Sequence, residues 1–145
     1  IWKPSSEWRF HFDILNSRKE FNSVIHNHPA YGSGMSILRK DIKAYHYMIG
    51  FMGGDTIRCS KFAPPGSQEL SNAAIKALKG RKACLLANHG AITCGKDLDE
   101  ALFLSEEFEI LCKQITIAKI NGKPHLVERR FMKQIIQAIK TYGKY

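Results

Sequence analysis

Four stretches or side chains in this sequence could do chemistry, and three of them are the histidines His26, His28 and His89. His26-Asn27-His28 follows Ser23-Val24-Ile25 and precedes Pro29. On a β-strand, residues i and i+2 share a face, so both imidazoles point one way. Their Cα atoms would stand roughly 6.6 Å apart at a rise of about 3.3 Å per residue. That span suits two ligands with zinc–nitrogen bonds of about 2.0–2.1 Å. His89 follows the apolar run Ala83 to Ala87 and precedes Gly90, which puts a third imidazole at the tip of a buried strand. Three imidazoles that leave one coordination position open are the pattern of a catalytic zinc site rather than a closed structural one. The competing readings are two polar surface histidines and one core histidine bonded to backbone. Ser5-Ser6-Glu7 is the fourth cluster. A helix N-terminus favours anions and carboxylates, yet on spacing alone the triplet reads as helix capping. His11, His46 and His125 read as structural.

The elements that would carry these residues alternate between helix and strand. Ser5-Ser6 can cap a helix on which Trp8, Phe12 and Leu15 recur at helical spacing. Val24 to His28 reads as a strand stopped by Pro29. Gly34 to Leu38 is a short helix or turn, Ala44 to Phe51 is ambiguous, and Gly53-Gly54-Asp55 makes a turn into a strand over Thr56 to Phe62. Pro64-Pro65-Gly66 breaks the chain. A helix from Ser67 carries Leu70, Ala73, Ala74, Ala77 and Leu78 on one face, with Gly80 at its C-terminal stop. Ala83 to Ala87, wholly apolar, reads as a strand buried on both faces, with Ala91 to Cys94 beside it. Asp97 and Glu100 form a capping box before a long helix on Leu98, Ala101, Leu102, Ser105, Phe108, Leu111, Cys112 and Ile115. A last helix runs from about Glu128 to Tyr142, where Gly143 would end it. The class is α/β.

Composition narrows the function. The 145 residues are 44% hydrophobic and 24% charged, enough for a packed core and too apolar for wholesale disorder. No apolar run is long enough to span a bilayer. Cys59, Cys84, Cys94 and Cys112 show no C-x-x-C spacing and read as free thiols, which favours a reducing, cytoplasmic setting. The net charge of +9 is spread along the chain; it would draw in a phosphorylated substrate, while no nucleic-acid module or aromatic–basic pattern is present.

Taken together, the motifs resemble the class II aldolase/adducin family, and within it the fuculose-phosphate branch. Pro4-Ser5-Ser6-Glu7, His26-Asn27-His28, His46-Tyr47-Met48-Ile49, Gly53-Gly54-Asp55, Gly66-Ser67-Gln68-Glu69-Leu70, Arg81-Lys82-Ala83, Asn88-His89-Gly90 and Thr141-Tyr142-Gly143 occur in the family's order. The resemblance implies a three-layer α/β/α fold around a central, largely antiparallel sheet. It implies one domain over residues 1–145, lacking an N-terminal part that supplies further phosphate loops. It implies one Zn2+ per subunit held by His26, His28 and His89, with Glu7 as a ligand that swings off to act as acid/base. Ser5 and Ser6 would grip the substrate phosphate. Tyr47, from a neighbouring subunit of a homotetramer, would protonate the aldehyde oxygen, and Tyr142 would help close the site. The implied reaction cleaves a deoxyketose 1-phosphate, such as L-fuculose 1-phosphate, into dihydroxyacetone phosphate and a small aldehyde such as L-lactaldehyde. Ribulose-phosphate 4-epimerase, dehydratase and decarboxylase activities share the fold; Glu7 directly after the serine pair is the aldolase pattern, where epimerase-like relatives have Asp. A non-catalytic, adducin-like interaction module or fragment is the alternative of another class, and the three histidines argue against it. The segment Phe62-Ala63-Pro64-Pro65-Gly66 departs from the fuculose-phosphate branch, which has an aromatic where Pro65 stands.

Overall fold

A computed structural model describes residues 2–142. Its elements run α1 (Trp8–Ser17), β1 (Ser23–Asn27), α2 (Ala30–Ile37), β2 (Ile42–Lys43), a 3-10 segment (Tyr47–Met52), β3 (Thr56–Cys59), α3 (Gln68–Leu78), β4 (Ala83–Leu86), β5 (Gly90–Gly95), α4 (Leu98–Asn121) and α5 (Arg129–Ile139). The strands form one sheet in the order β1-β5-β4-β3-β2. β3 and β4 run parallel; the other three pairings are antiparallel, so the sheet is mixed rather than purely antiparallel.

Strand alternation divides the core into two halves. Ala83, Leu85 and Ala91 face a layer that includes Phe108, Leu111, Ile49 and Met132, from α4, the 3-10 segment and α5. Cys84, Leu86, Ile92 and Cys94 face Phe10, Ile14, Leu70, Ala74 and Leu78, from α1 and α3. A strand apolar at every position is what a sheet covered on both faces requires. The three layers follow from that burial pattern.

Several elements differ from the sequence reading, each for a physical reason. α1 buries Phe10 and Ile14, not Trp8, Phe12 and Leu15, which stay exposed. Apolar residues at both spacings give this helix two candidate stripes, and packing on α3 and β1 selects the one that Phe21 and Ile92 can meet. α2 begins at Ala30 because Glu109 of α4 accepts from the backbone N–H groups of Tyr31 and Gly32, both at 2.8 Å. Such a carboxylate satisfies donors that a helix start leaves free. The ambiguous segment becomes a 3-10 turn capped by His46, whose Nδ1 accepts from Met48 N. β3 is shorter than read because the Asp41 carboxylate takes the Cys59 N–H. On α4, Leu98 and Leu102 are exposed while Leu104 joins the core. α5 stops at Ile139, and the stop expected at Gly143 lies outside the described residues.

Other expectations hold. Ser67 caps α3 by accepting from Leu70 N, and Asp97 caps α4 by accepting from Glu100 N. Cys84, Cys94 and Cys112 are buried thiols and Cys59 is half-buried, all free. Burial pushes the Cys59 thiol up to about 11 and the Cys94 thiol up to about 12, so neither carries thiolate character at neutral pH. No helix among the described residues is long and apolar enough to cross a membrane.

Candidate metal centre

β1 and β5 pair with His26 opposite Ile92 and Asn27 opposite Ala91, so the His26-Asn27-His28 segment ends where β5 begins. His89 stands immediately before β5, in the turn from β4, at the same end of the sheet. α1 packs on β1, and its N-cap residue is Glu7. Ser5 and Ser6 precede the helix as a turn: Ser5 Oγ accepts from Glu7 N at 3.2 Å, and Ser5 O accepts from Trp8 N at 3.1 Å.

These elements bring Glu7, His26, His28 and His89 together. Each offers one ligand atom, and the four atoms all lie within 4.8 Å of one another. Glu7 Oε2 is 2.9 Å from His26 Nε2, Glu7 Oε1 is 3.4 Å from His89 Nε2, and the Nε2 atoms of His26 and His28 are 3.0 Å apart. The Glu7, His26 and His89 side chains are nearly buried, and His28 is exposed.

The chemistry of this donor set fits a cation. His26 Nδ1 lies 2.9 Å from Ala91 O. A carbonyl oxygen only accepts, so Nδ1 carries a proton, and in the neutral tautomer Nε2 turns a lone pair toward the carboxylate. Two acceptors at 2.9 Å repel unless a proton or metal ion lies between them. Glu7 Oε1 is buried with no hydrogen-bond partner among the described residues, which leaves carboxylate charge uncompensated by protein donors. Burial holds the His89 imidazole below its usual pKa, with Glu7 opposing and the charges of His26 and His28 assisting; the neutral form is the one that binds metal. Burial also lowers His11, one turn along α1 from Glu7, with His26 adding to the effect.

Two glycines are shaped to this site. A Cβ on Gly90 would stand 2.5 Å from Asn27 O and 2.7 Å from His28 Cδ2. A Cβ on Gly66, whose φ is +75°, would stand 2.7 Å from Ser6 O. The first lets the His28 ring lie against β5; the second lets the Pro64–Ser67 turn close on the serine pair. Asn27, on the opposite face of β1, donates to Ser105 Oγ at 2.9 Å and ties the strand to α4. Sequence reasoning missed these contacts, although the glycine after His89 and the Asn between the histidines were both visible. The Gly53-Gly54-Asp55 and Arg81 motifs meet elsewhere: Arg81 donates to Thr56 O, Thr56 Oγ1 and Asp55 Oδ1, a clip between β3 and the start of β4.

Neither tyrosine is hydrogen-bonded to the four-residue cluster. Tyr47 opens the 3-10 segment, stacks on His46 and is 51% exposed. Tyr142 follows α5, packs edge-on against Phe51 and borders a cleft of about 460 Å³ with Phe103 and Lys82. α5 packs on the 3-10 segment that carries Tyr47 and Phe51.

The class II aldolase and adducin N-terminal domain family matches residues 1–116. This chain belongs to that family. It is 41% identical over 141 residues to the 5-methylthioribulose-1-phosphate/5-deoxyribulose-1-phosphate aldolase of Rhodospirillum rubrum, covering 97% of this chain and 64% of that protein. It is also 41% identical over 141 residues to the L-fuculose phosphate aldolase of Escherichia coli K12, covering 97% and 66%. A solved L-fuculose 1-phosphate aldolase superposes with a TM-score of 0.93 at 34% identity, over 97% of this chain and 66% of that one. The chain thus spans just under two thirds of the length of these relatives.

Proposed function

We propose that this family member is a zinc-dependent, cytoplasmic aldehyde-lyase that cleaves a deoxyketose 1-phosphate into dihydroxyacetone phosphate and a small aldehyde. The observation that carries the reading is the Glu7 carboxylate aimed at the lone-pair side of His26, with His28 and His89 alongside. His26, His28, His89 and Glu7 would hold the ion. Once bound, it supplies a Lewis acid that polarises the substrate carbonyl and offsets the charge that carbon–carbon cleavage leaves on the ketone fragment.

The chain's own groups supply the rest. Ser5 and Ser6, in the turn before α1, offer hydroxyls and a helix N-terminus to the phosphate. Glu7 carries the proton to and from the carbon next to the carbonyl; its carboxylate lying beside the histidines, with no hydrogen-bond partner at Oε1 among the described residues, supports that role. Tyr47 exchanges a proton with the aldehyde oxygen, and Tyr142 covers the site. Both rings are exposed and neither is hydrogen-bonded to the histidines, which supports their serving a neighbouring copy in a homotetramer with sites at the subunit boundaries.

Relatives named for 5-methylthioribulose, 5-deoxyribulose and L-fuculose phosphates share 1-phosphorylated ketoses with a deoxygenated far end. The substrate class proposed here is that common chemistry.

Metal analysis and a cleavage assay on the purified protein test this reading. The expected result is about one zinc per chain, lost in His26→Ala and His89→Ala. Dihydroxyacetone phosphate should appear from L-fuculose 1-phosphate or 5-deoxyribulose 1-phosphate. A well-folded protein that holds no metal would return the chain to the adducin-like, non-catalytic reading.

A further inference from the structure

Among the described residues, two non-glycine residues adopt positive φ: Arg39 at 50° and Asn88 at 53°. They lie 49 positions apart in the sequence, and Arg39 Nε donates to Asn88 Oδ1 at 2.5 Å. Left-handed backbone is strained for residues with a Cβ, and paired outliers at a site call for a functional account. Arg39 stands just past the C-terminus of α2, where glycine is usual. An arginine held there contributes something through its side chain. Asn88 directly precedes His89.

The metal-centre histidines are steered differently. His26 has its ring aimed by Ala91 O through Nδ1. His89 Nδ1 is buried and has no hydrogen-bond partner among the described residues, so no hydrogen bond at Nδ1 sets the direction of the ring. Its aim depends on the backbone of the turn. That turn is held from α2: Asn88 N donates to Ser36 O, His89 N to Ser36 Oγ, and Arg39 reaches the Asn88 side chain. The Arg39 guanidinium also lies over the Phe62 ring at 5.4 Å, in the loop that leads to Gly66 and so to Ser6.

We propose that Arg39 and Asn88 are a positioning pair, in which a guanidinium–amide hydrogen bond between two left-handed residues sets the direction of His89 toward the ion. Neither residue touches the ion or the substrate. The inference rests on the proposed reading of the four-residue cluster as a zinc site.

Glycine variants isolate the side chains, because glycine accepts positive φ without strain. Zn2+ affinity is measured by chelator competition on Arg39→Gly, Asn88→Gly, the double variant and Asn88→Asp, with thermal melts of the metal-free proteins alongside. Each single glycine variant is expected to bind zinc about 10–100-fold more weakly, as losses of outer ligand partners do, with no drop in metal-free melting temperature. The double variant should match the weaker single, since the two side chains act as one unit. Asn88→Asp keeps the acceptor and should keep wild-type affinity. Wild-type affinity in both singles, or losses that multiply in the double, overturns the pairing. Should Arg39→Gly fail to fold, the contrast between Asn88→Gly and Asn88→Asp decides alone: equal affinities refute the proposal. A wild-type protein that binds no zinc fails the metal-site reading instead.

Discussion

Replacing Glu7 by Gln should change stability in opposite directions with and without metal. In the neutral tautomer His26 Nε2 presents a lone pair to Glu7 Oε2 at 2.9 Å, because the Nδ1 proton is committed to Ala91 O. In metal-free protein this contact sets acceptor against acceptor inside a nearly buried cluster. Glutamine has the same shape, donates from its amide nitrogen to His26 Nε2 and removes a buried negative charge. Gaining one net hydrogen bond is worth about 0.5–1.5 kcal/mol. For a chain of this size about 2–4 °C accompanies each kcal/mol, so metal-free Glu7→Gln should melt roughly 1–6 °C above wild type. With zinc the sign reverses. Loss of the one anionic ligand, taken as a roughly hundredfold drop in affinity, removes about 2.8 kcal/mol of ligand-linked stability. That is roughly 6–11 °C less zinc-induced shift than in wild type. Thermal melts at pH 8, with chelator and then with saturating zinc for wild type, measure both. A metal-free variant that melts no higher than wild type, or one that gains as much from zinc, refutes the reasoning.

Gly90→Ala should disturb His28 without replacing any of the four cluster residues. Its methyl would stand 2.5 Å from Asn27 O and 2.7 Å from His28 Cδ2, so the strands part or the ring turns away. Overpacking of this kind costs about 1–3 kcal/mol, and zinc titration should show weaker binding; wild-type affinity would count against the close approach. Asp13 supplies an acid-sensitive contribution. Hydrogen bonds from Ser71 Oγ at 2.6 Å and Gln68 Nε2 at 2.8 Å hold its carboxyl below the usual carboxylate range, against a smaller opposing effect of burial. A depressed folded-state value gives stability that is complete above the unfolded value of about 3.9 and fades as pH falls through the folded value. The melting-temperature gap between wild type and Ser71→Ala should therefore be widest at neutral pH and close in acid; a gap constant from pH 7 to pH 2 would remove Asp13 from the account.

What the sequence made legible follows from the range of the interactions involved. The same-face pair His26 and His28 needs only strand alternation, and His89 needs only the end of an apolar run, so both were readable from local spacing. The arrival of Glu7 beside them was not, because it depends on how α1 packs across β1. In isolation Ser5-Ser6-Glu7 read as a cap, and only the resemblance to a family pointed further. The α1 stripe was misread for the same reason: Trp8, Phe12 and Leu15 are as periodic as Phe10 and Ile14, and a partner layer chooses between them. The start of α2 was invisible because its donors are satisfied by Glu109, 78 positions from Tyr31 in the sequence. Arg39 drew no notice as a site residue, since positive φ at a non-glycine position leaves no trace in composition.

The four members of the cluster are not held equally firmly, and the difference bears on which of them can leave. His26 sits in β1, paired to β5 across a full register, with its ring tied to Ala91 O. His28 follows directly, its ring against Gly90, while Asn27 anchors the strand to α4 through Ser105. His89 is carried by a turn that Ser36 bonds from α2. His26 is fixed within the sheet, while His28 and His89 stand just outside the strands on backbone held through Asn27 and Ser36. Glu7 is the exception. It occupies the N-cap of a helix, with an exposed turn before it and no side-chain capping bond of its own. A rotation about its side-chain torsions disturbs neither strand pairing nor core. A carboxylate that is to alternate between steadying an ion and carrying a proton must sit where a rotamer change is inexpensive, while the imidazoles that keep the ion in place must sit where it is not. On the proposed reading, the roles divide in that way: His26 on the sheet, His28 and His89 at its end, and one adjustable carboxylate at the helix end that faces them.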